Sequence, residues 1–181
     1  MANIPPQVKT NPNLEYLKGL GYKMSHQGKV RDTFDLGREF LVSASDRVSI
    51  FDVVLPFEIP RKGEVLTALT HFWLTHVLSD FPHHLLKSAK HQTANAAIDL
   101  HLPNLDVRRC LVVNKFELQP FELIFRHHLG GSVRKQYEKT GIVAGQELPP
   151  GIPQWGFLDV PLFTPSTKEE NGHDINITIR Q

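Results

Sequence analysis

Between Gly63 and Phe81 the residues Val65, Leu66, Leu69, Phe72, Trp73, Val77 and Leu78 recur at the spacing of one helix face. With β-like runs on either side, this helix requires a fold in which helix packs on sheet. Burying five of these large side chains would contribute on the order of 10 kcal/mol before chain entropy is subtracted. The stretch is therefore read as a structural helix. Its histidines, His71 and His76, are five residues apart and do not share a face, so they are not expected to ligate a metal.

The β-runs lie on both sides. "REFLVSAS" supplies a strand from Glu39 to Ser43 after the turn signal Gly37, and the turn in "QGKVRDTFDLG" is flanked by two more extended stretches. Further on, "RRCLVVNKFEL" from Arg108 to Leu118 and "FELIFRH" from Phe121 to His127 read as strands joined tightly through Gln119 and Pro120. Met1 to Pro12 reads as an N-terminal arm, "NLEYLKGLG" as a short helix ended by Gly19 or Gly21, and "GGSVRKQYEKTG" as a helix that opens near Ser132 and closes at Gly141. Gly145 to Pro165 is rich in proline and glycine and reads as a surface loop.

Composition narrows the function classes. Hydrophobic residues at 40% and charged ones at 22% are ordinary globular values, and 181 residues can bury roughly 70% of their unfolded surface. A formal net charge of +1 gives no global field for nucleic acid, while a phosphorylated small molecule needs only a local basic patch. No apolar run reaches the roughly 20 residues that span a bilayer, the start "MANIPPQVKT" lacks the apolar core of a signal peptide, and the cytoplasm is the default location. The single cysteine, Cys110, excludes an internal disulfide, and its strand-like neighbours make it a buried, inert thiol rather than a nucleophile.

Four polar constellations stand out. In "GKVRD" Gly28 permits close backbone approach, and Lys29 and Arg31 alternate onto one side of a strand as two cations converging on an anion would. The same pattern also suits an ordinary charged hairpin. "SASDRVSIFD" places Ser43, Ser45, Asp46, Arg47, Ser49 and Asp52 at a strand end, a density that suits a ligand site, though a capped turn would explain part of it. "FRHHLGGSVRK" brings Arg126 and Arg134 to a helix start near Ser132, where backbone N–H groups and the helix dipole favour an anion, though a plain helix N-cap explains the pattern equally. "FTPSTKEENGHDINI" is a polar loop with Lys168, His173 and Asp174.

In this order the four motifs closely resemble the SAICAR synthetases, the phosphoribosylaminoimidazole-succinocarboxamide synthase family of purine biosynthesis, over about Leu17 to Asn176. The resemblance implies an ATP- and Mg²⁺-dependent ligase. It would join L-aspartate to the carboxylate of 5-amino-1-(5-phosphoribosyl)imidazole-4-carboxylate through an acyl phosphate, giving SAICAR, ADP and phosphate. Catalysis would then rest on positioning and charge neutralisation. It further implies that Gly28, Lys29 and Arg31 form a lid over ATP, that Lys115 and Glu117 border the adenine mainly through backbone groups, and that Arg126, Ser132 and Arg134 stand near the ribotide phosphate. Asp46, Arg47 and Ser49 would meet substrate and aspartate, and Lys168, His173 and Asp174 would close over them, with Lys29, Asp46 and Lys168 nearest the chemistry.

The implied fold is α+β, with an antiparallel lobe like the small lobe of a kinase over residues 1–119 and the start of an ATP-grasp-like α/β lobe over 120–181. Ile175 stands where the family usually has glutamate, and Gly130 where threonine or alanine is common. The chain stops at "INITIRQ", so a truncated member is expected, with Mg²⁺ ligands outside it, little synthetase activity of its own, and exposed apolar surface on Phe121 to His127. The rival reading is a nucleotide-binding module without ligase activity. Neither reading involves nucleic acid or a membrane as partner.

Overall fold

A computed structural model describes residues 11–50, 53–88, 96–168 and 175–178. The chain divides into two compact units, Met1–Phe116 and Glu117–Gln181. Every ladder in both is antiparallel, and with the helices this makes an α+β fold.

The first unit opens with helix α1 (Pro12–Gly19). Pro12 takes the first position, where its missing N–H costs nothing, and the Asn11 side chain accepts the Asn13 N–H as an N-cap. Strands β1 (Met24–Gln27), β2 (Arg31–Asp35) and β3 (Glu39–Ala44) follow as a meander, then the hairpin β4 (Arg47–Ile50) and β5 (Val53–Glu58), helix α2 (Lys62–Phe72) and strand β6 (Cys110–Asn114). The main sheet has the order β1-β2-β3-β6. Alternation on β2 turns Asp32 and Phe34 inward, and Phe34 meets Leu14, Leu17, Leu41, Cys110 and Val112 in the main core. On the opposite face Leu111 and Val113 pack with Leu85 against Phe40, Val42 and Leu74. The outer edge of β6 is covered, because Leu86 N–H donates to Val112 O and Asn114 N–H to His84 O.

The strongest helical signal is found where it was expected, but its packing is not. After α2 the helix continues as a wider π turn over Trp73–Val77. The buried residues of α2 are Gly63, Glu64 and Thr67, whereas Val65, Leu69, Phe72, Trp73 and Val77 are each about half exposed. The face applied to the unit is the small and charged one, because Gly63 sits on the Ala44 carbonyl and Glu64 enters an arginine cluster. The burial energy expected of the apolar stripe is therefore not realised within the described residues.

The second unit contains β7 (Phe121–Glu122), β8 (Phe125–His128), α3 (Ser132–Thr140), β9 (Ile142–Val143), β10 (Gln146–Glu147), β11 (Phe157–Phe163) and β12 (Ser166–Thr167). Its core joins Leu129, Val133, Tyr137, Val143 and Leu162. The expected hairpin between the two late β-runs does not form: β6 pairs with β3, β7 with β12 and β8 with β11, and residues 115–120 connect the two units irregularly. The loop expected from Gly145 to Pro165 holds a seven-residue strand, β11. Pro161 hid it from the sequence reading, and a register irregularity between Phe157 and Leu162 is where the ladder accommodates that proline. Phe125 and Leu123 are 66% and 63% exposed, so the apolar surface expected on this stretch is present.

Candidate functional site

The β1–β2 turn, Gly28 to Val30, is short and tightly held. Gly28 N–H donates to Arg31 O at 2.7 Å, and a Cβ on Gly28 would lie 2.9 Å from that same oxygen, so the turn requires glycine. Lys29 lies in the turn itself, two residues before β2, so strand alternation does not pair it with Arg31; both side chains are nevertheless exposed.

Three successive carbonyls of this turn accept from the segment that follows β3. Val30 O accepts from the Ser45 N–H at 3.0 Å and the Ser45 hydroxyl at 2.9 Å. Lys29 O accepts from Arg47 Nε at 2.9 Å, and Gly28 O from Arg47 Nη2 at 3.1 Å. Arg47 Nη2 also reaches Asp32 Oδ1 at 3.0 Å in an ion pair whose side chains are 1% and 0% exposed. Arg47, expected to meet substrate, lies fully buried behind the turn and bonds to its carbonyls. The sequence reading found the segment but not its direction.

Asp46, expected to meet substrate, is partly buried and engaged in structural contacts. Its carboxylate accepts from the N–H groups of Arg61 at 3.0 Å and Gly63 at 2.8 Å, capping the entry to α2, where Arg61 is left-handed and supplies no side-chain cap. Both oxygens also accept from Arg109. Burial pushes the Asp46 pKa up, but the Arg109 bond, the two backbone N–H groups and the Arg109 charge outweigh it and hold the group below its ordinary value of 3.8. Arg109, 8% exposed, further pairs with Glu64 and Asp106. No sequence pattern singled out Arg109, Glu64 or Asp32, because each belongs to a strand, a helix or a strand start that reads as ordinary.

Cys110 is fully buried and accepts from Asn13 Nδ2 at 3.1 Å, and burial pushes its pKa up to about 12. It is an inert thiol, as expected. Asn11, Asn13, Asp32 and Ser43 form a buried hydrogen-bonded group beside it.

Other cations gather on the unit. Burial first, then the positive charges of Arg31 and Arg47, lower the pKa of Lys62, against an opposing pull from Asp46. Lys62 was not among the sequence candidates, although it opens the helical run. Lys115 Nζ donates to Asp35 at 2.6 Å and lies 4.5 Å from the Phe40 ring centroid, and Glu117 is exposed. A cavity of about 510 Å³ beside α2, lined by Glu64, Ala68, His71 and Val107 among others, includes none of the sequence-predicted site residues.

In the second unit Arg126 Nε donates to Thr164 at 2.9 Å, and Arg134 donates to Glu138 at 2.7 Å and to Ile152 O at 2.6 Å. Ser132 is exposed at the start of α3. Gly130 is explained by packing: a Cβ there would lie 2.2 Å from the Trp155 ring, so this tryptophan fills the space a larger residue would take. Lys168 Nζ pairs with Glu122 at 2.7 Å. His173 and Asp174 lie outside the described residues.

Among the described residues no group of three carboxylate, histidine or cysteine side chains stands together as a metal site. Asp46, Glu64 and Asp106 are occupied by arginines. These residues do not fit a protein-held Mg²⁺. Among the described residues no helix is long and apolar enough to cross a membrane.

Residues 24–181 match the family model described as SAICAR synthetase. The chain is 42% identical over 161 residues to the phosphoribosylaminoimidazole-succinocarboxamide synthase of Thermodesulfovibrio yellowstonii, a match covering 89% of this chain and 54% of the relative. It is 39% identical over 153 residues to the enzyme of that name from Elusimicrobium minutum, covering 84% and 52%. The SAICAR synthase of Saccharomyces cerevisiae, solved in complex with SAICAR, superposes with a TM-score of 0.72 at 35% identity over 87% of this chain and 53% of that one. The chain spans about half the length of the curated relatives it matches.

Proposed function

Because the chain belongs to the SAICAR synthetase family, we propose that it carries the nucleotide- and ribotide-recognising part of an ATP-dependent ligase that joins L-aspartate to the carboxylate of 5-amino-1-(5-phosphoribosyl)imidazole-4-carboxylate. The observation that carries this reading is the Gly28–Val30 turn, whose carbonyls are drawn inward by Ser45 and Arg47 while Lys29 and Arg31 remain exposed beside it. Such a turn presents cations and backbone donors to a polyphosphate.

A carboxylate is a poor acyl donor. Transfer of the γ-phosphoryl group to the ribotide carboxylate gives an acyl phosphate and ADP. The aspartate amine then attacks the acyl carbon, and phosphate leaves with the C–O bond as the amide forms. Lys29 and Arg31 hold the phosphoryl oxygens, and Lys62 adds a third cation from the start of α2. Backbone groups of Lys115 and Glu117 border the base. Arg126, Ser132 and Arg134 serve the ribotide phosphate, and Ser49, Lys168, His173 and Asp174 are further substrate-contact candidates. Arg47 supports the turn from beneath it, and Asp46 holds the entry to α2. Lys29, Arg31 and Lys62 belong to the unit up to Phe116, and Arg126, Ser132 and Arg134 to the unit from Glu117.

Calorimetric titration with a non-hydrolysable ATP analogue tests this directly. The unmodified chain binds it, and the Lys29→Ala, Arg31→Ala double variant binds about a hundredfold more weakly, from two lost charge-assisted contacts. A second reading, a nucleotide-binding module without ligase activity, is favoured by the arginines that occupy Asp46, Glu64 and Asp106 and keep these carboxylates from a metal. ADP release with aspartate and ribotide separates the two: the module binds ATP and shows no aspartate-dependent release.

A further inference from the structure

We infer that Arg47 is a positioning residue for the nucleotide turn, a role that rests on the nucleotide reading above and deepens it. Ser45 and Arg47 between them bind three successive carbonyls, those of Gly28, Lys29 and Val30. A trans peptide carries its C=O and the following N–H on opposite sides, so drawing the Gly28 and Lys29 carbonyls inward directs the Lys29 and Val30 N–H groups outward. The turn is thereby fixed with its Lys29 and Val30 N–H groups directed away from Arg47, and Lys29 and Arg31 beside them are exposed.

Three features separate this clasp from a general stabilising contact. The Arg47 guanidinium is fully buried, so it cannot itself meet a solvent-side ligand. Two of its nitrogens are spent on turn carbonyls, and Nη1 has no hydrogen-bond partner among the described residues, so the guanidinium's bonding is directed at the turn and Asp32. Asp32 on β2 fixes the guanidinium by a buried ion pair, and Asn11 in turn donates to the other Asp32 oxygen at 3.0 Å. The chain Asn11, Asp32, Arg47, turn therefore runs from the α1 N-cap to the lid. Arginine is required because its planar fork spans two carbonyls and a carboxylate at once, which a lysine ammonium does not.

The test separates positioning from folding. Arg47→Met alone strands the Asp32 charge and is expected to lower the melting temperature. Arg47→Met with Asp32→Asn removes both charges and recovers most of that loss. Titration of the double variant with a non-hydrolysable ATP analogue is expected to show binding still about tenfold weaker than the unmodified chain, since two charge-assisted contacts to the turn are gone. Hydrogen exchange of the amides at residues 28–31 is expected to be faster in the same variant, while the Phe34 and Leu41 amides are unchanged. A double variant that recovers both stability and analogue affinity overturns the inference alone. An unmodified chain that takes up no analogue overturns the nucleotide reading, and this inference with it.

Discussion

Asp46 gathers four donors, the N–H groups of Arg61 and Gly63 and two nitrogens of Arg109. Because its pKa is lowered in the fold, its contribution is fully present above the ordinary value of 3.8 and is lost as pH falls through the lowered value. Asp46→Asn is expected to cost about 2 kcal/mol at neutral pH. It should also flatten the acid limb of the stability curve, which denaturant melts at a series of pH values would measure; an unchanged acid limb would remove Asp46 from this role. The sequence showed that Ser45, Asp46 and Arg47 form a dense polar segment at a strand end. It did not show that their partners are the Gly28–Val30 carbonyls and the α2 entry, since those contacts join positions 15 to 19 residues apart through backbone atoms that carry no residue signature. Cys110 was legible because a strand-embedded thiol in an apolar run has few alternatives.

At the scale of elements, α2 shows what periodicity conveys and what it omits. The spacing fixed which residues share a face, but not which face the rest of the chain covers. That was decided by Gly63, whose missing Cβ lets the helix start rest on β3: a Cβ would stand 2.6 Å from Ala44 O and 2.8 Å from Arg109 Nη1. Gly63→Ala is therefore expected to destabilise the first unit by about 1–3 kcal/mol, as overpacking against backbone does. A variant melting with the unmodified protein would show that the helix can slide away. Strand β11 escaped the sequence reading for a different reason, since Pro161 and its flanking loops mimic an irregular segment and only pairing with β8 makes it extended. The small β9–β10 hairpin was equally hidden. Its turn residues Ala144 and Gly145 both take positive φ, 49° and 78°, and an alanine there gives no turn signal.

For the whole molecule, the two units keep separate cores and share a family with enzymes about twice as long. Val65, Leu69, Phe72, Trp73 and Val77 on the helix, with Phe125, Phe157 and Val160 in the second unit, leave apolar side chains half or more exposed or nearly so. Surfaces of this kind bind hydrophobic dyes. The folded chain is expected to enhance 1-anilinonaphthalene-8-sulfonate fluorescence at neutral pH, and Phe72→Ser with Trp73→Ser should reduce the signal without loss of the far-ultraviolet spectrum. Absence of dye binding would mean that these faces are covered in solution. The family and the α+β class were readable from four ordered motifs, whereas the exposed helix face was not, because one sequence cannot say what lies opposite an apolar stripe. The Gly28–Val30 turn as a polyphosphate site is tested most directly by calorimetry with a non-hydrolysable ATP analogue. Saturable binding by the unmodified chain, weakened about a hundredfold in the Lys29→Ala, Arg31→Ala variant, is the predicted result; equal binding by both proteins, or none by either, would contradict it.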